Sequence, residues 1–457
     1  QASGPQGGGT DGDVEAAVVD SLTDEVVRQA QQLAVGTSGG GHRQTAIGAE
    51  ESSGSRHEWW DFLENAAQVF GRSVELREVE EADVRRGYDA QGYYWGGNTI
   101  QKEVYMGYRR RMYPRHQDVE HSVRQVRRLG KCVDVARPAF YGFRYAVVGD
   151  RFQSQVSHPR HRDMLWATSN YDVFYANQGD VYCWNPWQSM ARRSVLDRAQ
   201  MPSQFKVRSM CADAGLVFVG DNRGRYCVKS LQTDAVAAGD SLGALCEDAV
   251  NHASPGVTRS GAAVIACAHA SGAVRCLNVA RLDVTETCVS GWCANSSSLA
   301  HNGTLQCVVG DSTEALLIDP RCGATSDPIA RLTGHLGYLL SCSLSPDGNL
   351  VATASQDTSI RVYDVRRPQQ SLATLCGYMG AMCAVRFSRC GNFLLGMETA
   401  DYVHVYDARS FERSQSIGFM GESAGAAFSP DSNCLFLAVA DSIHGSSLAE
   451  YTLEASF

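Results

Sequence analysis

Nothing in this 457-residue chain approaches the ~20 consecutive apolar residues that a membrane-spanning helix needs, and its mean hydropathy is −0.23. The chain reads as soluble, with no membrane span. Nucleotide and acyl chemistry are missing too. There is no Walker-type phosphate loop and no GxSxG elbow, and the GGG near the start is low complexity rather than a phosphate cradle. None of the 16 cysteines forms a CxxC pair; the closest cluster runs from Cys288 to Cys293. The others are scattered through apolar stretches, Cys183, Cys211, Cys227, Cys267, Cys307, Cys342 and Cys383 among them. Such cysteines behave as small buried residues, which excludes a disulfide framework and points to a reducing compartment, cytoplasm or nucleus. The first residue is Gln rather than Met, which keeps an organelle destination open. His158, His161 and Asp163 lack a second cluster to complete a metal shell and read as loop residues, while His116 and His121 are spaced wrongly for one helical face. No catalytic constellation, cofactor, metal or small-molecule substrate is therefore expected, and an enzyme is the least favoured class.

What is present is a repeat. Leu332 to Arg366 carries a Gly-His pair, then SPDG, a short strand ending in a turn aspartate, and a strand closing on Tyr363-Asp364. That order marks one blade of a WD40-type β-propeller. His335, Thr353, Asp357 and Tyr363 fall where such a blade links a turn imidazole, a strand hydroxyl, a turn carboxylate and an aromatic ring, with Tyr in place of the usual Trp. Similar strand ends recur at Trp184, Val228, Leu277, Ile318, Tyr363, Tyr406 and Tyr451, at successive gaps of 44, 49, 41, 45, 43 and 45 residues. One blade cannot bury its faces alone, so this spacing predicts an all-β, seven-bladed propeller.

The rest divides into three parts. Residues 1–56 are Gly/Ser-rich and acidic, too poor in large apolar groups to offset their ordering entropy, although Val14 to Ala34 has a short helical pattern capped by Asp13. Residues 57–139 form a helical or irregular arm in which EWWDFLENAAQVF lays Trp60, Leu63, Ala67 and Phe70 along one stripe and the helical pattern runs on to Arg86. Residues 140–457 hold the propeller, and FYGFRYAVV, 140–148, is placed to close the ring as an outer strand of the last blade. Charge is segregated: 1–83 holds 16 acidic against 5 basic side chains, and 102–131 holds nine basic against three acidic. The basic tract interleaves Arg109, Arg110, Arg111, Arg115, Arg124, Arg127 and Arg128 with Tyr105, Tyr108 and Tyr113. It would suit nucleic acid or an acidic partner, against the plainer reading of a solvated or self-neutralised helix.

From about Tyr88 onwards the chain resembles an uncharacterised plant and fungal family of WD40-repeat proteins, about 450 residues long, within the transducin/WD40-like superfamily. The matching stretches include DAQGYYW (89–95), FYGFR (140–144), MLWATSNYDV (164–173), GNLVATASQDTSIRVYDVR (348–366) and ADYVHVYDA (400–408). The resemblance implies a propeller scaffold and carries over no activity. Two strand ends, Asp364-Val365-Arg366 and Asp407-Ala408-Arg409, are versions of the WDxR box. Here the chain is similar to adaptors that recruit substrates to cullin-4 ubiquitin ligases, which dock their linker protein through that Arg; a merely structural Arg is the alternative. The expected function is a non-enzymatic protein–protein interaction scaffold or adaptor subunit. The other readings are a cullin-4 substrate receptor and a ribonucleoprotein or organellar-assembly subunit using the basic arm. One or more proteins are the expected partners.

Overall fold

The computed structural model describes residues 76–95, 102–112, 133–134 and 140–454, with breaks at 155, 157–161, 189–190, 214, 241, 243–247, 325 and 441–444. The helical patterns of Val14 to Ala34 and EWWDFLENAAQVF lie outside the described residues. Residues 94–95 and 102–112 belong to one unit and the other described residues to a second.

In the second unit, successive antiparallel hairpins build four-stranded sheets over 165–196, 207–239, 250–289, 294–332 and 339–376. Two further blades share one strand, Arg413–Phe428. Its first part pairs with Ala400–Asp407 as the outer strand of blade six; its second part pairs with Cys434–Ala440 as the inner strand of blade seven. Glu422 marks the switch, being opposite both Ala400 and Ala440. The first strands of blades one to six contact one another in order, and the shared strand contacts Leu165–Ala167 of blade one. The ring is therefore closed, and the fold is a seven-bladed WD40-type β-propeller. Trp184, Val228, Leu277, Ile318, Tyr363, Tyr406 and Tyr451 all lie on the third strand of their blade.

The inner strands show why the middle blades are rich in serine, asparagine and cysteine. Neighbouring blades approach too closely there for large side chains, and small polar groups bond across to the next backbone. Ser254 Oγ donates to the Ser297 carbonyl at 2.7 Å, Asn251 Nδ2 to Ala294 O and Asn295 Nδ2 to Leu339 O, both at 2.9 Å. Ser341 and Ser343 hydroxyls accept from the amides of Val385 and Phe387. These bonds satisfy polar groups that burial would otherwise leave orphaned. Asn295, the first residue of an NSS glycosylation sequon, is buried among them.

The front of this unit fastens the back. Tyr141–Val148 pairs antiparallel with Ser447–Leu453 as the outer strand of blade seven, Leu448 opposite Val147 and Thr452 opposite Gly142. Glu78–Glu80 then adds a further strand beyond it. This interrupts the helical pattern expected up to Arg86: pairing with Tyr145–Val147 satisfies the backbone of 78–80, and among the described residues 76–86 the helix is confined to Glu81–Arg85. Val133–Asp134 runs parallel to Arg413–Ser414 on the edge of blade six. Two glutamines act as backbone surrogates. Gln91 Nε2 donates to Met420 O at 2.7 Å while Met420 N donates to Gln91 Oε1 at 2.6 Å. Gln415 exchanges the same pair of bonds with Tyr141, at 2.7 and 2.8 Å. Tyr141 also packs edge-on to Phe393, centroids 5.4 Å apart, and its hydroxyl donates to Ser432 O at 2.7 Å.

Candidate functional site

Blade five holds its turn by a buried network. His335 Nδ1 lies 2.9 Å from Asp357 Oδ2 and Nε2 lies 2.9 Å from Thr353 Oγ1. Asp357 also accepts from the amides of Leu336 and Ser359, at 2.9 and 3.0 Å, and from the Ser359 hydroxyl at 2.6 Å. Burial alone would raise this carboxyl; the imidazole, hydroxyl and amides outweigh it and hold the group well below the usual carboxylate range. Tyr363 donates its hydroxyl to the Thr333 carbonyl at 2.9 Å, tying the third strand to the loop that carries His335. Blade six uses different residues for the same task. Buried Glu398 accepts from the amides of Met379 and Gly380 and contacts His404 Nε2 at 2.7 Å.

Along the propeller axis, polar and charged side chains meet from blades that are not neighbours. Asp163, just before the first strand of blade one, receives Arg386 Nη2 of blade six on both oxygens, at 2.6 and 2.7 Å. His252 Nε2 of blade three lies 3.2 Å from the same carboxylate, and its Nδ1 lies 3.3 Å from Ser296 Oγ of blade four. Arg386 stacks on Trp166, 3.8 Å from the ring centroid. A second pair, Arg389 to Asp213, joins blades six and two. Contacts between such distant blades are made only across the central channel, so this network bolts the ring from inside. Burial pushes the Asp163 carboxyl up, and the Arg386 charge with the His252 bond brings it below its ordinary value. Of the three residues weighed as a metal cluster, His158 and His161 lie outside the described residues and Asp163 is spent in this bolt. Among the described residues no group of three or more His, Cys, Asp or Glu is arranged to hold a metal ion.

The two WDxR-like boxes occupy equivalent turns between the third and fourth strands of blades five and six. Arg366 N donates to Asp364 Oδ1 at 2.8 Å and Arg409 N to Asp407 Oδ1 at 3.1 Å, each an Asx turn. The Arg side chains fold back on the same carboxylates, Nε at 3.4 and 2.9 Å, yet stay 73% and 57% exposed. Every blade repeats one strand order, so these turns project from one edge of the ring. Blade four carries a third copy, Asp319-Pro320-Arg321, whose Arg is 47% exposed. Hydrogen bonds from the Arg321 side chain and amide bring Asp319 down to about 2. Sequence reasoning missed this box because Ile318 stands where the aromatic residue would be; the Asp-x-Arg after a strand end was the available signal.

The repeat family described as WD domain, G-beta repeat matches residues 326–364, which span the outer strand of blade four and the first three strands of blade five. Among solved structures, a chain in one titled "Crystal Structure of Mitotic Checkpoint Complex" is similar in fold, with a TM-score of 0.55 at 15% identity, over 70% of this chain and 94% of that one. No curated protein matches. The chain carries a WD40 repeat within a WD40-type propeller. WD40 propellers are in general protein-interaction folds rather than catalytic ones.

Outside the propeller, Lys102–Met112 is helical. Arg109 is buried there with its guanidinium 5.9 Å from the Tyr105 ring, and Tyr105 lies 6.0 Å from Trp95. Arg110 is half-buried. The side chain of Arg111 and all of Arg115, Arg124, Arg127 and Arg128 lie outside the described residues. No described helix is long and apolar enough to cross a membrane.

Proposed function

We propose that this protein is a non-enzymatic scaffold or adaptor subunit that holds protein partners of a larger complex on one edge of its propeller. One observation carries the reading: blades four, five and six each present an exposed Arg from an Asp-x-Arg turn on the same edge. An Arg fork makes two parallel bonds to a carboxylate, and a row of them recognises an acidic surface at low cost in ordering because each turn is already fixed. The propeller similar to this one comes, by its title, from a multiprotein assembly, which accords with the reading. In this proposal 1–56 and 57–139 precede a propeller of 140–457, with 76–93 fastened to it.

The test is affinity purification of the tagged full-length protein from its own cells, with quantitative mass spectrometry, beside Arg321→Ala/Arg366→Ala/Arg409→Ala. A stable partner set lost from the variant at unchanged thermal midpoint supports the rim. A set fully retained by the variant overturns it. The side-by-side exposure of Arg366 and Arg409 favours, as a second reading, a cullin-4 substrate receptor. Cullin-4 and its linker among the partners lost from an Arg366→Ala/Arg409→Ala double variant would select it. The nucleic-acid reading draws no comparable support, since Arg109 is buried and Arg110 half-buried.

A further inference from the structure

At the seam where blade seven meets blade one, a cleft of about 690 Å³ opens on the propeller surface. Its walls come from four places. Tyr171 and Trp187 stand on two turns of blade one, Phe143 and Arg144 on the strand Tyr141–Val148, Glu454 just past the last strand, and Glu81 on the short helix. Trp187 is 61% exposed and Tyr171 48%, with their rings edge to face at 5.7 Å. Large aromatic side chains left this open on a turn are uncommon in a surface that has no partner, and they are the residue types that anchor interfaces. They are also held in place: Trp187 N donates to Asn185 Oδ1 at 2.9 Å, and Arg144 lies 4.1 Å from the Trp187 ring centroid.

Charge decides what the cleft fits. Arg144 is neutralised from behind by Glu450, at 2.7 Å and fully buried. Glu81 is paired only with Arg85, four residues on and open to solvent, where such a pair is weak. Glu454, on the other wall, points its carboxylate at the position a side chain on Gly142 would take. The cleft thus combines two carboxylates with two exposed aromatic rings, Trp187 already carrying Arg144 against its ring. We infer that this cleft binds an extended basic peptide segment of a partner protein, the apolar stem of an Arg or Lys packed against Tyr171 and Trp187 and its charge met by Glu81 and Glu454. The site is separate from the arginine rim of blades four to six, and of opposite charge preference, so one propeller edge would grip acidic and basic partners at different places.

Random nonapeptides displayed on phage, selected on the full-length protein and counter-selected on Trp187→Ala, test this directly. Enriched peptides are expected to carry Arg or Lys. By fluorescence anisotropy their affinity should fall about tenfold in Trp187→Ala and in Glu81→Lys/Glu454→Lys, and weaken with rising salt. Both variants alter exposed or half-buried side chains, and their thermal midpoints should match the wild type. Absence of wild-type-specific peptides, enrichment of peptides without basic residues, or indifference to the charge reversal overturns the inference. A synthetic peptide of residues 102–131 that binds this cleft better than any selected peptide would make the occupant the chain's own tract and overturn the partner assignment.

Discussion

Asp357 shows how one carboxylate organises a loop, a turn and a strand at once. Its oxygens meet the Leu336 amide, the Ser359 amide and hydroxyl, and the His335 ring, all in a fully covered site. A buried charge is tolerated only in such company, and the donors are equally dependent on the charge. Asp357→Ala is expected to cost about 1–3 kcal/mol in urea unfolding through these orphaned donors; an unchanged midpoint would contradict the network. The sign of the pH dependence follows. The folded carboxyl is depressed, so its contribution is complete above the unfolded value of about 3.9 and is lost as pH falls through the folded value. Asp357→Asn should therefore flatten the loss of thermal stability between about pH 4 and pH 2 relative to wild type. The next residue, Thr358, sits at φ +69°, a conformation that a β-branched residue rarely adopts and that the equivalent turn of blade three gives to Gly272.

The 16-residue strand Arg413–Phe428 is the element on which the ring depends, because it is the outer edge of one blade and the inner edge of the next. Both glutamine sutures act on it or from it, Gln91 at Met420 and Gln415 at Tyr141. Gln91 is buried, and its side-chain amide matches both backbone groups of Met420 at once. Gln91→Ala should destabilise the protein by about 1–3 kcal/mol, and the Met420 amide should lose protection in hydrogen exchange before the middle blades do. Equal protection in variant and wild type would show that the suture is dispensable. The alternating pattern of Tyr141–Val148 was legible as a strand. The glutamines were not, since a side chain that mimics a backbone has no periodicity and no local motif.

At the scale of the whole molecule, the ring resists opening in three places: the aromatic cluster of Tyr141, Phe393 and Phe428, the pairing of Tyr141–Val148 with Ser447–Leu453, and the bolt of Asp163, Arg386 and His252 across the axis. Deleting 140–148 removes the first two together and bares the edge of Ser447–Leu453. That variant is expected to elute as aggregates in size-exclusion chromatography, and a monodisperse monomer would refute the role of this strand in closure. The bolt has a functional side as well. Asp163, His252 and Arg386, from blades one, three and six, meet across the axis, and the partner surfaces proposed above lie elsewhere, on the rim turns and the blade-seven seam.

Local spacing alone determined the repeat: seven strand ends at intervals of 41 to 49 residues, alternating apolar strands, and turn residues between them. It also placed His335, Thr353 and Asp357 in one blade, because each blade is built from contiguous chain. Tertiary structure decided whatever joins distant parts of the sequence. Asp163 and Arg386 are 223 residues apart and Gln91 and Met420 are 329 apart, and nothing in either neighbourhood announces the other. The same holds for the arginine rim and the cleft of Trp187, which exist only because ring closure brings equivalent turns to one edge and sets the end of the chain beside its first blade.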